Sequence, residues 1–124
     1  MSGKRVLIVD DAPSMRNTLR DIFAMAGFTV VGEAVDGVQA VKLYRDLKPD
    51  LVIVDILMPY KSGIDATREI VQADPSAVVV MCSVLSQQSL VMEAIEAGAR
   101  DYIVKPFKPE KVLEVVKKVV SLKQ

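Results

Sequence analysis

The chain is 124 residues long, which fits one domain and leaves room for a core without disulfide or metal staples. Its 16 basic and 16 acidic residues cancel, so no long-range field for nucleic acid or an anionic membrane is expected. It holds no histidine and a single cysteine, Cys82, which excludes histidine-based catalysis, His-rich zinc sites and an internal disulfide.

The opening Met1-Ser2-Gly3-Lys4-Arg5 leads into too few apolar residues for a signal-peptide core, and no later run approaches the roughly 20 that a membrane helix needs. A cytoplasmic location is the expectation. The first apolar run, Val6–Val9, reads as a strand buried on both faces, and Asp10 and Asp11 end it. Pro13 then marks a helix start, and Met15, Leu19, Ile22 and Phe23 share one helical face. Gly27 closes that helix before a second strand, Phe28–Val31.

Val41, Tyr44 and Leu47 mark the second helix, and Pro49-Asp50 precede the third strand, Leu51–Val54, which Asp55 follows. Ile64, Thr67, Ile70 and Val71 carry the third helix. A fourth strand, Val78–Met81, runs towards Ser83; Leu90, Ala94 and Ile95 mark the fourth helix, with Gly98 after it. Tyr102–Val104 is the fifth strand, Lys105 follows it, and Val112, Val115, Val116 and Val119 form the last helical face. Five strand–helix alternations predict an α/β doubly wound domain, a five-stranded parallel sheet with helices on both faces. No linker or low-complexity tract divides it, so a single domain over residues 1–124 is expected.

In such a sheet the ligand site lies beyond the carboxyl ends of the strands. Asp10, Asp11, Asp55, Ser83 and Lys105 all fall on that edge. Three crowded carboxylates raise one another's pKa unless a cation neutralises them. The donors are oxygens only, which favours a hard ion such as Mg²⁺. A carboxylate ringed by Mg²⁺, a lysine and a hydroxyl suits phosphoryl transfer, where catalysis is mostly positioning and charge neutralisation.

The strings VLIVDD, DILMP-YKSG, CS and DYIVKPF, in this order and spacing, resemble the receiver domain of two-component response regulators over essentially the whole chain. The resemblance implies the flavodoxin-like (βα)5 fold with strand order 2-1-3-4-5. It implies Asp55 as phosphoryl acceptor, with Mg²⁺ held by Asp11, Asp55 and the backbone carbonyl of Leu57, and Asp10 acting mainly through water. Ser83 and Lys105 would contact the phosphoryl oxygens. Tyr102 matches the switch aromatic that turns inward when Ser83 is drawn to the phosphate, and the Lys105–Pro106 bond is expected to be cis. Such a domain catalyses only its own phosphorylation and dephosphorylation.

The implied partners are a sensor histidine kinase as phosphodonor and, for a stand-alone monomeric regulator of chemotaxis, the flagellar motor switch or a phosphatase, met by the face of helix 4, strand 5 and helix 5. The final Ser121-Leu122-Lys123-Gln124 lacks linker composition, which favours the stand-alone form. The alternatives are a receiver from a longer DNA-binding or enzymatic regulator and a phosphorelay intermediate. A Mg²⁺-dependent phosphatase of similar topology would need a second aspartate where Leu57 stands. Val84, in place of the usual small residue, is expected to narrow access to the phosphate, and Leu57 and Leu85 to flank the path of the hydrolytic water.

Each residue alone has an ordinary reading. Asp11 serves equally well as a helix cap, Ser83 as a satisfied hydroxyl, and Tyr102 as a half-buried filler. Cys82 reads as a small core residue. Convergence of several strand ends on one edge is what favours a site.

Overall fold

The computed structural model describes residues 3–122, less the side chains of residues 85–87 and 122. Five strands, β1 (Arg5–Val9), β2 (Thr29–Ala34), β3 (Leu51–Asp55), β4 (Val79–Val84) and β5 (Asp101–Lys105), form one parallel sheet in the order β2-β1-β3-β4-β5. Four helices connect them, α1 (Pro13–Met25), α2 (Gly37–Leu47), α3 (Gly63–Ala73) and α4 (Val91–Glu96), and α5 (Pro109–Leu122) follows β5. The expected flavodoxin-like fold is the one found.

The central strands alternate their side chains between two cores. Val6, Ile8, Ile53, Val80 and Cys82 meet Leu19, Ile22 and Phe23 of α1 and Val112, Val116 and Val120 of α5. Leu7, Val9, Val52, Val54 and Met81 meet Ala40 and Tyr44 of α2, Ile64 and Ile70 of α3, and Ala94 of α4. Both faces of β1, β3 and β4 are therefore covered, which is why their sequences are unbroken Val/Ile/Leu runs. Truncating a fully buried member such as Ile53 to alanine costs about 2–5 kcal/mol.

The edges of the sheet depart from the sequence reading. Phe28 lies before β2, in edge-to-face contact with Phe23 at a centroid distance of 5.1 Å, and the strand runs on through Glu33 to Ala34. As an edge strand with a register shift opposite Val6/Leu7, β2 does not need a continuous apolar sequence. At the other side, pairing of Ser83 with Val104 draws Ser83 into β4 instead of leaving it beyond. The fourth helix is short because residues Leu85–Leu90 form a 3-10 helix first. The tighter winding shifts the phase, so Val91 and Ala94 are buried while Ile95, expected on the buried face, is 40% exposed.

Candidate functional site

The order in which strands are added across the parallel sheet reverses between β1 and β3, since β2 lies on one side of β1 and β3 to β5 on the other. That switch point opens a crevice at the carboxyl ends of β1 and β3. Val9 pairs with Val54, so the residues that follow, Asp10 and Asp55, emerge level with one another. Carboxylate oxygens of Asp10, Asp11 and Asp55 all lie within 4.8 Å of each other.

Lys105 enters from the end of β5. Its Nζ donates to Asp10 Oδ2 at 2.9 Å and sits 3.3 Å from Asp55 Oδ1. Asp10 is almost fully buried, and its other oxygen, Oδ1, accepts from the Ala12 backbone N–H at 2.9 Å. Asp11 is exposed and makes no hydrogen bond or ion pair among the described residues. It is not the cap of α1: the capping position is Ala12, with no side-chain hydrogen bond. The ordinary reading of Asp11 as a helix cap therefore fails.

Burial raises the Asp55 carboxyl above its usual range, more than Lys105 lowers it, and the charges of Asp10 and Asp11 add to the rise. Desolvation thus outweighs the mutual repulsion anticipated from sequence. Burial pulls the Lys105 ammonium downwards, but the hydrogen bond to Asp10 and the charges of Asp55 and Asp10 lift it above its ordinary value. Burial pushes the Cys82 thiol up to about 12, consistent with an inert core residue.

Ser83 is completely buried and its hydroxyl has no hydrogen-bond partner among the described residues. Buried polar atoms are nearly always satisfied, so this hydroxyl, one residue past Cys82, which pairs with Asp55, is free to donate to an incoming acceptor. Tyr102 is half-buried on β5 and pairs with Met81, while Ser83 pairs with Val104. Two-residue alternation puts Tyr102 and Ser83 on the same face of the sheet. Leu57, two residues past Asp55, and Val84, one past Ser83, both reach the surface, 52% and 40% exposed. The Leu85 side chain lies outside the described residues. The Lys105–Pro106 bond is cis.

Two glycines that sequence reading passed over shape the loop after Asp55. A Cβ on Gly63 would fall 2.0 Å from the Asp55 carbonyl oxygen, and one on Gly37 would fall 2.2 Å from that of Lys61. Gly63 N–H donates to Ile56 at 2.7 Å and Gly37 N–H to Lys61 at 3.1 Å, so the loop is fastened at both ends. Only the glycines' place at helix starts hinted at this. Arg16 was also passed over. Its guanidinium donates to the Asp10 carbonyl, a contact that helical spacing alone does not reveal.

The donor set is three carboxylates, oxygens only, which fits a hard divalent cation. No helix among the described residues is long and apolar enough to cross a membrane.

Comparison with known proteins agrees with this geometry. The response regulator receiver domain family matches residues 6–117. Over 117 residues the chain is 56% identical to the chemotaxis protein CheY of Thermotoga maritima, covering 94% of this chain and 98% of that one. CheY of Bacillus subtilis is 51% identical over the same coverage. Among solved structures, the CheX–CheY complex with BeF3 and Mg²⁺ from Borrelia burgdorferi superposes with a TM-score of 0.91 at 38% identity, covering 95% of this chain and 90% of that chain. CheY is itself a standing example of this strand order. The chain belongs to the response regulator receiver domain family, as a CheY-like member.

Proposed function

We propose that this receiver is a two-component response regulator of chemotaxis that accepts a phosphoryl group on Asp55. The observation that carries the reading is the cluster itself: three carboxylates within 4.8 Å, with Lys105 beside Asp10 and Asp55, and a buried Ser83 hydroxyl without a partner among the described residues. In the transfer, an Asp55 carboxylate oxygen forms a bond to phosphorus. The bond from phosphorus to the imidazole nitrogen of a sensor kinase breaks, and its electron pair stays with the imidazole. Mg²⁺ bound by Asp11, Asp55 and the Leu57 carbonyl, with Asp10 through water, would neutralise charge on the transferring group.

The chain's own groups do the remainder. Lys105 is held where it can turn from Asp10 and Asp55 to a phosphoryl oxygen. Ser83 donates its hydroxyl to another oxygen, which moves β4 and lets Tyr102 swing inward from its half-buried place. The changed face of α4, β5 and α5 then meets a target, the flagellar motor switch or a phosphatase. The Borrelia relative's complex with CheX supports a protein partner of this kind.

The test is incubation with acetyl phosphate in Mg²⁺. One phosphoryl group should appear at Asp55 by mass spectrometry, and none on the Asp55→Asn variant. Modification of that variant to the same extent would refute the assignment.

A further inference from the structure

We propose that Arg16 is a positioning residue for the cation site, acting through the peptide bond that joins Asp10 to Asp11. The inference rests on the reading of that cluster as a divalent-cation site. Arg16 Nη1 donates to the Asp10 carbonyl oxygen at 2.7 Å. That oxygen belongs to the planar Asp10–Asp11 peptide, so holding it holds the Asp11 Cα, the point from which the Asp11 side chain leaves the backbone.

Nothing else among the described residues holds that peptide from this side. The Asp10 N–H extends the sheet ladder to the Ala34 carbonyl at 3.1 Å, and the Asp10 carboxylate is engaged by Ala12 and Lys105. Asp10 is thus held at its nitrogen, its carbonyl and both side-chain oxygens. The exposed Asp11 carboxylate has no tether of its own, and α1 has no side-chain cap to stiffen the turn. The aim of Asp11 depends on Arg16.

Arg16 is itself held from β2. Its Nε lies 3.3 Å from Glu33 Oε1, and the other oxygen of Glu33 takes Arg20 Nη1 at 2.6 Å. Glu33 stands opposite Ile8 in the sheet register, so its place is set by the sheet. The Arg16 side chain is 17% exposed, which limits the screening and side-chain freedom that make surface pairs weak. A guanidinium fork can meet a carboxylate and a carbonyl at once, which a single ammonium cannot.

Charge and geometry make opposite forecasts, and this makes the idea testable. A guanidinium at the Asp10 carbonyl repels a divalent cation held by the neighbouring carboxylates, so removing it on charge grounds alone strengthens binding. Removing the hold on the Asp10–Asp11 peptide weakens it. Loss of a hydrogen bond that orients a metal ligand typically weakens binding about 10–100-fold, and the low end is expected here because Asp11 is exposed.

The experiment is calorimetric titration of the full chain with Mg²⁺ alone, without phosphodonor. It compares wild type, Arg16→Gln, Arg16→Lys and Arg20→Gln, with thermal melts to establish folding. We expect Arg16→Gln to bind about tenfold more weakly, Arg16→Lys to lie between it and wild type, and Arg20→Gln to bind as wild type or slightly tighter. If Arg16→Gln does not fold, Arg16→Lys decides alone, since its charge is unchanged: weaker binding supports the role, wild-type affinity overturns it. Equal or tighter binding by Arg16→Gln, or equal weakening in Arg20→Gln, also overturns it. Absence of Mg²⁺ binding in wild type would overturn the cation-site reading beneath it.

Discussion

Lys105 and Asp10 stand 95 positions apart in the chain and close a 2.9 Å ion pair at the carboxyl edge of the sheet. Asp10 is buried, with 2% of its side chain exposed, and only 13% of that of Lys105 is. The ammonium occupies the role of a counter-ion to the acid cluster. Replacing it with methionine leaves Asp10 charged, buried and unpaired, which costs about 3 kcal/mol in the absence of divalent cation. Urea unfolding of Lys105→Met with and without Mg²⁺ checks this: the deficit should shrink when the cation is added. The elevated lysine pKa means this support is complete below the ordinary lysine range and fades as pH climbs past the native value.

Asp55 behaves in the opposite sense at neutral pH. Its native pKa is raised by burial, so the ionised carboxylate is less comfortable in the folded chain than in the unfolded one. Its favourable contribution is complete below the ordinary aspartate pKa of about 3.9 and is lost as pH rises through the native value. Without Mg²⁺, Asp55→Asn should therefore melt higher than wild type at pH 7, by about 3–6 °C for each 1 kcal/mol gained. The gap should close as pH falls below the ordinary range. Scans across pH measure it, and an unchanged gap would refute the electrostatic cause.

Asp11→Asn should cost little stability, since the exposed side chain makes no hydrogen bond among the described residues and does not cap α1. Mg²⁺ binding should weaken at least about tenfold, a loss of about 1.4 kcal/mol. Calorimetric titration of a variant that melts like wild type separates the two effects.

Gly63→Ala places a methyl group 2.0 Å from the Asp55 carbonyl oxygen, where backbone must move. Destabilisation of about 1–3 kcal/mol or more is expected, as for other forced overpacking, together with slower labelling of Asp55 by acetyl phosphate. A variant that matches wild type in both would show that the loop gives way freely.

Leu57 is half exposed, two residues past Asp55, and has no group to orient a water. Leu57→Asn should leave stability within about 0.5 kcal/mol, as surface changes do. The same variant should shorten the life of the phosphorylated form severalfold. Phosphate release over time in excess Mg²⁺ gives the comparison, and equal rates would remove Leu57 from the hydrolytic path.

The amino-acid sequence was enough to identify the central strands, the doubly wound class and the edge carrying Asp10, Asp11, Asp55, Ser83 and Lys105. Strands buried on both faces leave an unmistakable apolar run, and the polar residues that break those runs must emerge at their ends. Edge strand β2 and the 3-10 entry to α4 were blurred, because a half-exposed strand tolerates Gly32 and Glu33 and a change of winding shifts the helical face. Contacts between distant segments were decided by tertiary structure alone. The pairing of Lys105 with Asp10, the backbone approach at Gly63 and the Glu33–Arg16–Asp10 chain depend on which strands lie side by side. Periodicity reports which way a residue faces within its own element. It carries no information about what waits across the crevice, because that is set by sheet register and loop packing.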